Sequence, residues 1–129
     1  MKTAQELYKI SQTKAPEIVA DILDGVREHI IHRCIQEANN GSTNYSIYLK
    51  KGNLFVKDLL LQECIKLAKE FENNGYKVSI EYGCNGHYVD FVMRFSWNDK
   101  VVEFDRSFGH NELLYTTDDG IITDYKYGG

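Results

Sequence analysis

Seven side chains in the second half of the chain have the types and spacing for chemistry on one surface: Lys77, Glu81, Tyr88, Asp90, Arg94, Glu103 and Asp105. Lys77, Ser79 and Glu81 alternate with Val78, Ile80 and Tyr82, so a strand here presents charge on one face and apolar groups on the other. Asn85-Gly86 is a two-residue type I′ hairpin signal, and a loop of that length sets the register. It predicts Cys84 opposite His87, Tyr82 opposite Val89, Ile80 opposite Phe91 and Val78 opposite Met93. A second turn at Asn98-Asp99 pairs Trp97 with Lys100, Phe95 with Val102 and Met93 with Phe104. Lys77, Arg94 and Glu103 then line up across three strands, as do Glu81, Asp90 and Ser107, with Asp105 diagonally near Arg94. Glu81 faces Asp90 and Lys77 faces Arg94, like charges that cost up to about 1 kcal/mol each. Glu103 relieves Arg94, whereas the acidic end has no internal relief. Such a surface suits a cation, a basic ligand, or a partner's Lys or Arg over Glu81, Asp90 and Asp105. The plain alternative is a solvated face screened by water and salt.

Other groupings are weaker. Three carboxylates on a sheet suggest metal-dependent hydrolysis, but Glu103-Phe104-Asp105 is followed by Arg106 without the acid-x-Lys spacing that chemistry uses. Cys84 and His87 at a hairpin end could form a thiolate-imidazole pair, and His29 and His32 share a helix side. Each is half a site, and a core thiol with boundary histidines is the simpler account. Gly83, Gly86 and Gly109 fit no GxGxxG or GxxxxGK loop, so no nucleotide cofactor is expected. No catalytic residue, metal ligand or cofactor is assigned. Nine tyrosines, most in or near strands, fill a pleated surface well, and Tyr48, Tyr88, Tyr125 and Tyr127 fall where they could meet a partner.

The elements that position these residues are readable from periodicity. Thr3-Ala4-Gln5-Glu6 fits a capping box for a short first helix with Leu7 and Ile10 as its apolar edge. Pro16 fits the first turn of a second helix whose stripe runs Val19, Ile22, Val26, Ile30, Cys34 and Ala38, ended by Asn39-Asn40-Gly41. Tyr45, Ile47 and Leu49 alternate as a strand. A third helix over about 55–73 carries Val56, Leu60, Cys64, Leu67 and Phe71 and stops at Asn74-Gly75. Strand, helix and strand make a crossover, so the strands near Ile47 and Val78 run parallel, with a right-handed connection. Residues 113–117 and 121–127 around Asp119-Gly120 predict a terminal hairpin that packs on the sheet edge or reaches out as an arm. The fold class is α+β: helices on one face of a mainly antiparallel sheet, one β-α-β crossover and a C-terminal hairpin. All 129 residues form a single domain, with a helical part at 1–40, a strand-helix-hairpin core at 44–108 and the terminal hairpin at 113–127.

Composition narrows the class of use. A chain of 129 residues has room for one core, and 43% hydrophobic with 26% charged residues is ordinary for a globular protein. A formal charge of -4 lowers the expectation of duplex nucleic acid as a partner. No apolar run reaches the roughly 18 residues of a membrane span, and no apolar leader is visible. Cys34, Cys64 and Cys84 form an odd set without CxxC, which argues against a disulfide framework and for a reducing cytoplasm.

The run Ile30, Cys34-Ile35, Glu37-Ala38-Asn39-Asn40-Gly41, a strand around Ile47, then Leu67, Phe71, Asn74-Gly75-Tyr76-Lys77-Val78 and a strand ending Phe95-Ser96-Trp97 resembles small, largely uncharacterised proteins of tailed bacteriophages and prophages. The resemblance covers about residues 18–97, lies in the arrangement rather than in identities, and carries over no functional residues. It implies a non-enzymatic binding or assembly protein acting through protein-protein contacts, expected as a homo-oligomer, with a host or virion protein as a further partner. It also implies an alternative, a host-takeover or anti-defence protein that binds a host protein or sequesters a small signalling nucleotide. The expected location is the host cytoplasm or the virion. A metal-dependent hydrolase on the acidic face is the remaining alternative.

Overall fold

The computed structural model describes residues 1–50, 54–85, 88–98 and 110–117. Its elements are α1 (Ala4–Leu23), α2 (Val26–Asn39), β1 (Asn44–Lys50), α3 (Leu54–Glu72), β2 (Lys77–Asn85), β3 (Tyr88–Ser96) and β4 (His110–Thr116). The four strands form one sheet in the order β1-β3-β2-β4, with every neighbouring pair antiparallel. The helices pack on one face of it. β1 and β2 run parallel to one another, as the crossover through α3 requires, but β3 lies between them.

The core forms where the helical stripes meet one side of the sheet. Ala15 and Val19 of α1, Val26, Ile30 and Cys34 of α2, and Val56, Leu60, Cys64, Ala68 and Phe71 of α3 are buried against Leu49, Val78, Ile80, Phe91, Met93 and Phe95. These positions follow the three-and-four spacing of a helix face and the alternation of a strand. Cys34 and Cys64 are free thiols within this core. Loss of hydration pushes the Cys34 thiol up to about 11 and the Cys64 thiol up to about 12, from an ordinary value of 9.0. Both therefore stay protonated at neutral pH, and neither is a ready nucleophile. Iodoacetamide at pH 7.5 should leave them unmodified in the native protein and label both once it unfolds; native labelling of either would refute its burial. Because both thiols hold their protons more tightly folded than unfolded, their contribution to stability is complete below pH 9 and is lost as pH rises towards 11 and 12.

The first two helices divide differently from the sequence reading. α1 continues through Pro16 to Leu23, and the break falls at Asp24-Gly25. Gly25 has φ 71°, a left-handed conformation that glycine adopts without steric cost, and it sits where the chain turns from α1 into α2. A proline within a helix forfeits one backbone hydrogen bond. Burial of Ala15 and Val19 on either side of it keeps the helix running. The Thr3 cap forms as expected, its hydroxyl accepting from the Glu6 amide at 3.2 Å. At the end of α3, Gly75 (φ 89°) allows the Tyr76 amide to donate to the Phe71 carbonyl and the Gly75 amide to the Glu72 carbonyl, the paired bonds of a Schellman stop.

β4 belongs to the sheet and does not stand out as an arm. Tyr115 hydroxyl donates to Glu72 Oε1 at 2.5 Å, and Thr117 hydroxyl donates to the same oxygen at 2.8 Å. The Val78 amide donates to Thr117 Oγ1 at 2.8 Å. One carboxylate on the last turn of α3 thus pins the end of β4 to that helix, while Thr117 ties it to β2. Glu72→Ala should destabilise the protein by about 1 to 3 kcal/mol, the range for depriving part-buried donors of a charged acceptor. Amide exchange in β4 should rise more than in β3; equal protection of both strands would show that the pin does not hold β4. The second half of the expected hairpin, around Asp119-Gly120, lies outside the described residues.

Candidate functional site

The sheet face away from the helices carries Lys77, Glu81 and Arg94 of the side chains expected to do chemistry, but the register moves them relative to one another. β2 and β3 pair with Lys77 opposite Ser96, Ser79 opposite Arg94, Glu81 opposite Val92, Gly83 opposite Asp90 and Asn85 opposite Tyr88. The pairing is therefore displaced by two from the one Asn85-Gly86 predicts. Cys84 stands opposite Val89, and His87 lies outside the described residues. A shift of two keeps every side chain on its own face, so the apolar match survives: Val78 with Phe95, Ile80 with Met93, Tyr82 with Phe91. It also removes both like-charge pairs, which is the physical advantage of this register.

β3's other neighbour differs as well. Tyr45, Ile47 and Leu49 of β1 stand opposite Phe95, Met93 and Phe91, the places expected for Val102, Phe104 and a strand after Asn98-Asp99. Arg94 is therefore flanked by Ser79 and Ser46. Glu103, Asp105 and Ser107 lie outside the described residues, and Glu81 and Asp90 of the expected row are not opposite one another.

The displaced register brings Glu81 and Arg94 together. Arg94 Nε donates to Glu81 Oε2 at 3.0 Å, and its Nη1 donates to Ser46 Oγ at 3.2 Å. Glu81 is wholly buried and the Arg94 side chain is 16% exposed, so the pair is a desolvated ion pair. Ser79, Val92 and Ser96 on the same face are also buried. Ser79 Oγ is buried without a hydrogen-bond partner. The expected open acidic surface is thus closed at its centre: Glu81 is held by a cation from its own chain and offers no accessible carboxylate. Lys77 begins β2 at the far end of this row, while Tyr88 and Asp90 occupy β3 positions towards the other end. Tyr48, on the same face in β1, is 65% exposed.

The helical side holds a cleft of 430 Å³ lined by Arg27, Ile31, Glu70, Phe71, Asn74 and Tyr76. Its charges satisfy each other. Arg27 reaches Glu70 at 2.6 Å and Glu28 at 2.6 Å. The hydrogen bond from Arg27 holds the Glu70 carboxyl below its usual range, and the same bond raises Arg27. The nucleotide alternative calls for a tyrosine pocket that includes Arg94 or Lys77; this cleft has Tyr76, but Arg94 lies on the opposite sheet face, bound to Glu81.

The histidines are similarly engaged. His29 Nε2 lies 3.2 Å from the Tyr45 hydroxyl, with Arg33 over the same ring, and His32 lies 3.1 Å from the Gln36 amide. Among the described residues, no group of three or more His, Cys, Asp and Glu side chains is placed to hold a metal ion.

The surface that periodicity undervalued is α1. Every residue before Ala15 is exposed, and Leu7, Tyr8, Ile10 and Ile18 are exposed at 53%, 56%, 42% and 36%. A sequence reading that ends the first helix before Pro16 separates Leu7 and Ile10 from Ile18. Within one helix of twenty residues the spacing of Leu7, Ile10, Lys14 and Ile18 marks one continuous side. That helix is the most apolar accessible element among the described residues.

No protein-family model matches this chain, and no curated protein or solved structure matches it. Among the described residues, no helix is long and apolar enough to cross a membrane.

Proposed function

We propose that the protein is a non-enzymatic binding or assembly module that works through protein-protein contacts, with the outward side of α1 as its contact surface. The observation that carries this reading is the exposure of Leu7, Ile10 and Ile18 along one side of a helix on which every residue before Ala15 is exposed. Full burial of such a side chain is worth about 1.5 to 3 kcal/mol, and a partner that covers the part still exposed recovers a corresponding share. The locked Glu81–Arg94 pair weighs against hydrolysis on the sheet face, since Glu81 is withheld from any cation or water. The resemblance to phage proteins would set these contacts in particle assembly or in the infected cell.

A photo-reactive side chain placed at Ile10 in the cell that makes the protein tests this. A discrete protein adduct that disappears with Leu7→Glu supports the reading. Absence of any protein adduct contradicts it.

A further inference from the structure

We infer that the partner of α1 is α1 of a second copy of this chain, packed antiparallel; the inference rests on the reading of α1 as the contact surface. Leu7, Ile10, Lys14, Ile18 and Asp21 recur three or four residues apart, so they lie along one side of the helix, and all five are exposed. The side turned to the core is a different one, with Ala15 and Val19 buried and Ile22 and Leu23 packed against the core. α1 is thus apolar on two sides, and attachment to its own domain accounts for only one of them.

The outward side is close to palindromic. Ile10 lies one turn before Lys14 and Ile18 one turn after it. A twofold axis passing near Lys14 sets Ile10 of each copy against Ile18 of the other, the two Lys14 side chains beside one another and Leu7 opposite Asp21.

Charge selects the same arrangement. Residues 1–14 carry Lys2, Lys9 and Lys14 against Glu6, whereas residues 15–24 carry Glu17, Asp21 and Asp24 and no basic side chain. Of these, Lys14 and Asp21 lie on the outward side with Glu17 at its edge; antiparallel packing brings Lys14 of each copy near Glu17 of the other, whereas parallel packing would set Glu17 against Glu17 and Asp21 against Asp21. Within one copy Lys14 reaches Glu17 at 3.3 Å, with both side chains more than 60% exposed. Across the axis each Lys14 also meets Glu17 of the second copy, so four charges alternate in sign around the two apolar contacts. Opposed helix dipoles add to the preference. A contact of this kind is isologous and closes at two subunits.

Static light scattering of the full chain from about 5 to about 500 μM, a range that brackets micromolar affinity, provides the test. The mass should rise from 14.9 kDa towards twice that value. Ile10→Glu should hold it at the monomer mass, with the melting temperature that the unsubstituted chain has at concentrations where it too is monomeric, since Ile10 is 42% exposed and stands outside the buried core. Lys14→Glu and Glu17→Lys should each weaken self-association by about tenfold or more, and mixing the two variants should restore it. A monomer mass at every concentration, or a dimer indifferent to Ile10→Glu, overturns the inference. The photo-reactive probe at Ile10 separates the two failures. An adduct whose mass is not twice that of the chain ends self-pairing while α1 remains the contact surface, and no adduct at all removes the contact surface itself.

Discussion

Glu81→Gln should lower the stability of the fold by about 3 to 5 kcal/mol, measured by denaturant unfolding, because it takes the carboxylate away from a guanidinium that is mostly out of water. Glu81 is wholly buried and only 16% of the Arg94 side chain reaches solvent, so solvation recovers little of the loss. Replacing both partners together, Glu81→Met with Arg94→Met, should return most of it, since the cost of a broken buried pair is the charge left behind and not the absence of the bond. This contrast discriminates between registers. Were Glu81 opposite Asp90 on a solvated face, Glu81→Gln would relieve repulsion and raise stability slightly. A change within about 0.5 kcal/mol, the usual range for a surface position, would contradict both the burial and the pairing.

Phe95→Ala should cost about 3 to 5 kcal/mol, the range for emptying a buried aromatic site. Phe95 is wholly buried in β3 and its ring lies 4.8 Å from that of Phe71 on α3. Phe71 in turn meets the Tyr76 ring edge-on at 5.2 Å, and Tyr76 meets Trp97 at 6.2 Å. This chain of rings joins the end of α3 to the middle of the sheet, so the loss includes ring-ring attraction beyond the area buried. Tyr48→Ala, at an aromatic position 65% exposed on the sheet's other face, should change stability by less than about 0.5 kcal/mol. Equal effects at the two positions would mean that the core does not lie on the side of the sheet described.

The elements and their faces were legible in the sequence because one physical rule governs both: apolar residues recur at the period of the element that buries them. Val56, Leu60, Cys64 and Phe71, or Val78 and Ile80, can be placed inside from spacing alone. The register of the β2-β3 hairpin was not legible, because a displacement of two leaves Val78, Ile80 and Tyr82 opposite equally good apolar partners. The choice rests on Lys77, Glu81, Asp90 and Arg94, whose like-charge pairs the observed register avoids. The place of β1 was hidden for a related reason. Tyr45, Ile47 and Leu49 match β3 as well as Val102 and Phe104 do, and local turn signals favour the nearer segment. The candidate site suffered most, since Glu81 and Arg94 become partners or remain strangers according to that one displacement. At the N-terminus, Pro16 reads as a helix start, and only the burial of Ala15 and Val19 shows that one helix runs through it to a glycine turn.

We propose that the protein acts through the outward side of α1 and not through the second sheet face. The most direct measurement of this compares photo-reactive side chains at Ile10 and at Tyr48, both exposed, in the cell that makes the protein. The side chain at Ile10 should give a discrete protein adduct and the one at Tyr48 none. An adduct from Tyr48 with none from Ile10 would contradict this proposal and return the function to the sheet.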